Sequence, residues 1–81
     1  MYVEVANRRP EMMTIYAVRH SMRMRLGMVQ GNQTRRLLIR PQMIGPGGEV
    51  QLAIDPLGNP NESYTRTIYV QPGDVLRLEL N

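Results

Sequence analysis

The sequence predicts an all-β protein, and three observations carry that prediction. The octet Met22-Arg23-Met24-Arg25-Leu26-Gly27-Met28-Val29 alternates apolar and cationic residues with a period of two, which only a strand turns into two opposite faces. No window of 11 or more residues keeps a helical period free of Gly or Pro. Short extended segments recur at spacings near ten residues with turn formers between them, the pattern of a Greek-key sandwich or small barrel.

The segments follow in order. Residues 2–6 alternate Val3 and Val5 with Glu4 and stop at Asn7-Arg8-Arg9-Pro10, where proline has no N–H for a ladder. Met13–Arg19 is apolar on both faces, so it belongs in the middle of a sheet. Two residues, His20 and Ser21, separate it from Met22–Val29 and predict a tight hairpin. In that octet Met22, Met24, Leu26 and Met28 are expected inward and Arg23 and Arg25 outward. After the turn at Gly31-Asn32-Gln33, residues 34–40 place Leu37 and Ile39 inward and Arg36, Leu38 and Arg40 outward.

Pro41 ends that strand, and the Gly45-Pro46-Gly47-Gly48 cluster predicts an irregular crossing between sheets over residues 42–48. Residues 49–55 alternate again, with Val50, Leu52 and Ile54 on one face. Residues 55–62 are rich in Asp, Asn, Pro and Gly and read as a surface loop. Residues 64–70 resume the extended pattern, Gln71-Pro72-Gly73-Asp74 makes a turn, and Val75–Leu80 closes the chain with three leucines inward.

The prediction is therefore one domain over residues 1–81, a seven-strand antiparallel Greek-key β-sandwich of immunoglobulin-like architecture, with a small β-barrel as the alternative. The hallmark Cys and Trp of immunoglobulin domains are missing, so only the architecture is predicted. A chain this short buries about 60 to 65% of the surface its unfolded form exposes. At about 0.05 to 0.15 kcal/mol per residue its stability is about 4 to 12 kcal/mol.

Composition narrows the function classes. All ten basic residues are arginine, set against seven carboxylates, for a formal charge of +3. Guanidinium groups grip phosphate and stack on bases, yet an Arg-only, Lys-free, Phe-free composition is also what a GC-rich genome produces. With no cysteine there is no disulfide or thiolate metal site. No run of apolar residues reaches membrane-span length, and the first ten residues read as strand and charge rather than signal peptide.

Asn7, Tyr16-Ala17-Val18-Arg19, Arg25-Leu26-Gly27, Asp55-Pro56-Leu57-Gly58, Tyr64 and Val70-Gln71-Pro72-Gly73-Asp74 together form a pattern of strand ends and turns. In it the chain resembles a group of uncharacterised small all-β domains from exported or lipid-anchored proteins of GC-rich soil bacteria. The resemblance implies the fold and an envelope setting, periplasmic or extracellular, and it implies no activity. A cytoplasmic setting stays open.

No catalytic, cofactor or metal site is predicted. His20, the only histidine, sits at a turn without partners. Asp55, Asn59, Asn61 and Glu62 offer hard oxygens, but their spacing does not match a calcium loop. The Gly45–Gly48 stretch lacks the Lys and helix of a phosphate loop.

Arg23, Arg25, Arg35, Arg36 and Arg40 form the candidate interaction surface, a basic stripe if the strands 22–29 and 34–40 are hairpin neighbours. The competing reading pairs those arginines with Glu4, Glu49 or Glu79 on adjacent strands. Met12, Met13 and Met43 near strand ends could extend a partner surface.

The function predicted is a non-enzymatic interaction or structural module that binds a protein partner, or itself, through an edge strand or sheet face. Residues 2–6 and 34–40 are the candidate edges. The alternative is a nucleic-acid-binding domain using the arginine face.

Overall fold

The computed structural model describes residues 1–58, 63–65, 67–71 and 73–81. Among the described residues eight strands run in the order β1 (Tyr2–Asn7), β2 (Met13–Arg19), β3 (Met22–Val29), β4 (Gln33–Leu38), β5 (Glu49–Pro56), β6 (Ser63–Tyr64), β7 (Ile68–Tyr69) and β8 (Val75–Leu80). Two sheets face each other as a small sandwich, and they do not close into a barrel. One has three strands in the order β4-β1-β8, and the other has the order β3-β2-β5-β6 with β7 also on β5.

The segment read as one strand over residues 64–70 is two short pieces, β6 and β7, both laid against β5. Expected all-antiparallel pairing fails at one place, because β1 and β8 run parallel, Tyr2 beside Val75 through Asn7 beside Leu80. Parallel neighbours need a long crossover, and here the rest of the chain supplies it.

Inward rows from both sheets make the core. Val3, Val5, Leu37 and Ile39 meet Met13, Ile15, Ala17, Val29, Val50, Leu52 and Ile54. The 45–48 cluster does carry the chain from the three-stranded to the five-stranded sheet, as expected. Its approach is not wholly irregular: Pro41–Met43 forms a single 3-10 turn with proline near its start. That turn drives Met43 into the core, fully buried, and Met13 at the start of β2 is buried as well, so neither belongs to a partner surface.

The register of β3 departs from simple alternation. Tyr16 pairs with Arg25 but Ile15 pairs with Gly27, leaving Leu26 as the extra residue of a bulge. One inserted residue exchanges the faces beyond it. Val29 therefore points into the core and Met28 stays 38% exposed, while Met22, at the hairpin turn, is 53% exposed. Of the four side chains expected inward, only Met24 and Leu26 pack against the core.

A candidate interaction edge and the arginine faces

The five candidate arginines do not form one stripe. β3 pairs with β2 and β4 pairs with β1, so the turn after Val29 is a corner between sheets rather than a hairpin. Arg23 and Arg25 lie on the outer face of the five-stranded sheet, opposite Val18 and Tyr16. Arg35 and Arg36 lie on β4, and Arg40 follows it at the start of the 3-10 turn.

Arg35 and Arg36 have local work. Arg35 shares the inward parity of the buried Leu37, but at the border of the sandwich its Nη1 donates to the Met28 carbonyl at 2.8 Å. That bond spans the corner between β4 and β3. Arg36 faces Glu4 across β1, with Nη2 3.6 Å from a carboxylate oxygen, and its guanidinium lies 5.9 Å from the Tyr2 ring centre. From the other side Arg77 on β8 donates to Glu4 at 3.0 Å through Nη2 and 3.3 Å through Nε.

Glu4 is thus held between two guanidinium groups. Arg77 chiefly, with a weaker contribution from Arg36, holds its carboxyl below the usual value against the opposing effect of burial. Arg8 and Glu79 pair at 3.1 Å nearby. Of the pairings the competing reading anticipated, Arg36 with Glu4 forms, whereas Glu79 is paired with Arg8, which is not one of the five candidate arginines. Glu49 instead accepts from the Gly47 amide at 3.0 Å, and the other amides of the crossover bond within it.

The outer face of the five-stranded sheet collects side chains far apart in sequence. Arg25 lies opposite Tyr16, Tyr16 opposite Ala53, and Ala53 opposite Tyr64. Ala53 is fully buried although its neighbours Leu52 and Ile54 take the inward places, while Tyr64 is 55% and Tyr69 73% exposed. Arg23 stacks on the Tyr16 ring at 4.0 Å. Tyrosines were outside the expected site, because only the pairing of β2, β5, β6 and β7 brings them beside these arginines.

The sandwich edges differ. β1, expected at an edge, is the middle strand of its sheet. β4 is an edge as expected, tied to β3 by the Arg35 bond and the corner turn. β8 is the other edge, paired only to β1 among the described residues.

The Leu80 carbonyl accepts from the Arg8 amide at 2.8 Å, so the backbone groups of Leu80 face β1. In a strand these groups alternate sides. The N–H and C=O of Leu76 and Leu78 therefore face β1 as well, and those of Val75, Arg77 and Glu79 face the open edge. Leu76, Leu78 and Leu80 are only half-buried although they turn toward the core.

Elsewhere an apolar groove of about 450 Å³ runs between Met1, Ile44, residues 45–48, Val70 and Gln71. His20 is an exposed turn residue with φ of 55°. Among the described residues no group of three His, Asp or Glu could hold a metal. Asp55 is the penultimate residue of β5, while Asn59, Asn61 and Glu62 lie outside the described residues. No helix among the described residues is long and apolar enough to cross a membrane. No family model, curated protein or solved structure matches the chain.

Proposed function

We propose that this domain is a non-enzymatic interaction module that takes up an extended polypeptide strand along β8. The observation that supports it is the open β8 edge, with backbone groups of Val75, Arg77 and Glu79 turned away from β1 above a row of half-buried leucines. An added strand gains a backbone ladder from the first feature and burial of apolar surface from the second. No proline or inward charge blunts this strand, the usual defences of a solitary edge. An envelope setting rests on the resemblance carried by the turns and strand ends.

Hydrogen exchange tests the reading. In dilute protein the amides of Val75, Arg77 and Glu79 should exchange rapidly while those of Leu76, Leu78 and Leu80 are protected. An extended peptide selected for binding from a random library should then protect the first three. Slow exchange at all three in dilute protein would exclude the reading.

A second reading is supported by a different observation, the gathering of Arg23, Arg25, Tyr16, Tyr64 and Tyr69 on one sheet face. Single-stranded nucleic acid is held by such a combination of stacking rings and guanidinium groups. Titration with single- and double-stranded oligonucleotides at two salt concentrations decides it. Binding should favour the single strand, weaken steeply with salt and drop with Tyr64→Ala. No binding at low salt removes it.

A further inference from the structure

We infer that the strand received by β8 is β8 of a second copy, paired antiparallel about a two-fold axis through Leu78. This rests on the open-edge reading above and names its partner. The argument comes from which backbone groups are open and where the charges sit.

Only Val75, Arg77 and Glu79 present backbone groups to the open edge, so a hydrogen-bonded antiparallel partner must set odd-numbered residues opposite odd-numbered ones. Few two-fold registers satisfy that. Centring on Arg77 sets Arg77 against its own copy, and centring on Glu79 does the same with two carboxylates. Like charges directly opposite are unfavourable.

Centring on Leu78 sets Arg77 against Glu79 of the second copy, twice by symmetry, with Val75 against Asn81. The same register puts Leu78 beside Leu78 and Leu76 beside Leu80, pairing the half-buried leucines of both copies along the open border. A two-fold contact must be self-complementary, and this register of Val-Leu-Arg-Leu-Glu-Leu is.

The charge pattern continues what the single chain already shows. Arg36, Glu4 and Arg77 lie side by side across β4, β1 and β8 with alternating sign. Glu79 of the second copy takes the next place in that row. Arg77 and Glu79 both keep most of their side-chain surface in water, at 80% and 58%, so both reach across while retaining their own pairs. The three-stranded sheets join into one continuous sheet. β3 and β4 do not offer this match: β3 carries Arg23 and Arg25, and β4 carries Arg35 and Arg36, with no acidic residue on either strand.

Sedimentation of the whole chain from micromolar to millimolar concentration tests it, with charge reversals as the diagnostic. The native chain should form a dimer as concentration rises, with the Val75, Arg77 and Glu79 amides gaining protection in step. Arg77→Glu and Glu79→Arg should each weaken self-association by about tenfold or more. An equimolar mixture of the two variants should dimerise again, since each carries the charge the other lacks. That restoration separates a lost contact from a lost fold.

A native chain that stays monomeric throughout, or a dimer indifferent to both reversals, overturns the inference. If the edge amides still exchange rapidly in that monomer, strand uptake from another partner stands. If they are already protected in the dilute monomer, both readings fall.

Discussion

The side-chain amide of Asn7, on β1, donates to the main-chain carbonyl of Val29, on β3, at 3.2 Å and so joins the two sheets. The same Nδ2 also donates to the carbonyls of Glu11 at 2.8 Å and Gln30 at 3.2 Å, and Oδ1 accepts from the Arg9 amide at 3.0 Å. Two N–H groups serve three acceptors, so one is shared. Asn7 is 1% exposed and is the one buried polar side chain of the described core.

Replacing Asn7 should therefore cost more than its size suggests. Asn7→Ala strands several carbonyls and is expected to lose roughly 2–4 kcal/mol in urea denaturation at neutral pH. Asn7→Asp should be worse, because a carboxylate only accepts hydrogen bonds and would face three carbonyl oxygens. Burial and those oxygens raise the carboxyl pKa in the folded state above its unfolded value, so protonation favours folding. The deficit of Asn7→Asp relative to Asn7→Ala should shrink as pH falls toward about 4. A deficit independent of pH would contradict this account.

Glu4 gives the opposite sign. Its carboxyl is lowered from the usual 4.5 by Arg77 and then by Arg36, so the folded chain holds this proton less tightly than the unfolded one. The resulting stability is present at neutral pH and disappears as pH falls below 4.5 through the folded value. Glu4→Gln should accordingly melt below the native chain at pH 7, and the two melting curves should converge in acid. High salt at pH 7 should narrow the gap as well, since Arg36 and Arg77 are largely exposed.

What the sequence disclosed follows from where its signals are local. β2, β3 and β8 are bounded as predicted, because each is flanked by turn formers. Alternation cannot report a bulge, and the only hint of one was Gly27 inside an otherwise regular strand. Nor does the turn after Val29 say whether the next strand pairs or crosses to the other sheet. A charged residue at the inward parity of β4, Arg35, was the available clue to a border position.

The candidate site was the least legible part for the same reason. That β8 is open depends on its parallel pairing to β1, across nearly the whole chain, and the tyrosine face depends on β5 gathering β2, β6 and β7. Neither arrangement leaves a mark within ten residues.

The two kinds of methionine supply a direct check on the core. Met43 is fully buried behind the 3-10 turn, whereas Met22 is half-exposed beside the hairpin. Met43→Ala should lose roughly 2–4 kcal/mol, a large share of the stability available to a domain of this size. Met22→Ala should stay within about 0.5 kcal/mol. Chemical oxidation followed by mass spectrometry should likewise modify Met22 before Met43, and the reverse order would contradict the burial of Met43 behind the 3-10 turn.

Two glycines separate backbone strain from steric collision. Gly48 has φ of +83° and its carbonyl accepts from the Val70 amide at 2.9 Å, while a Cβ built on it would stand 2.2 Å from the Val70 carbonyl oxygen. Gly58 has φ of +76° with nothing within 4 Å of the corresponding position. Alanine at either site meets the left-handed penalty, about 1–2 kcal/mol. At position 48 it must also push away the backbone that leads from β7 to β8. Gly58→Ala should therefore cost about 1 kcal/mol, and Gly48→Ala roughly 3 kcal/mol or more. Because the displaced backbone feeds β8, Gly48→Ala should also speed exchange at the Leu76 and Leu78 amides, which Gly58→Ala should leave protected; equal effects of the two substitutions would mean that the close approach of Gly48 to Val70 does not position the edge strand.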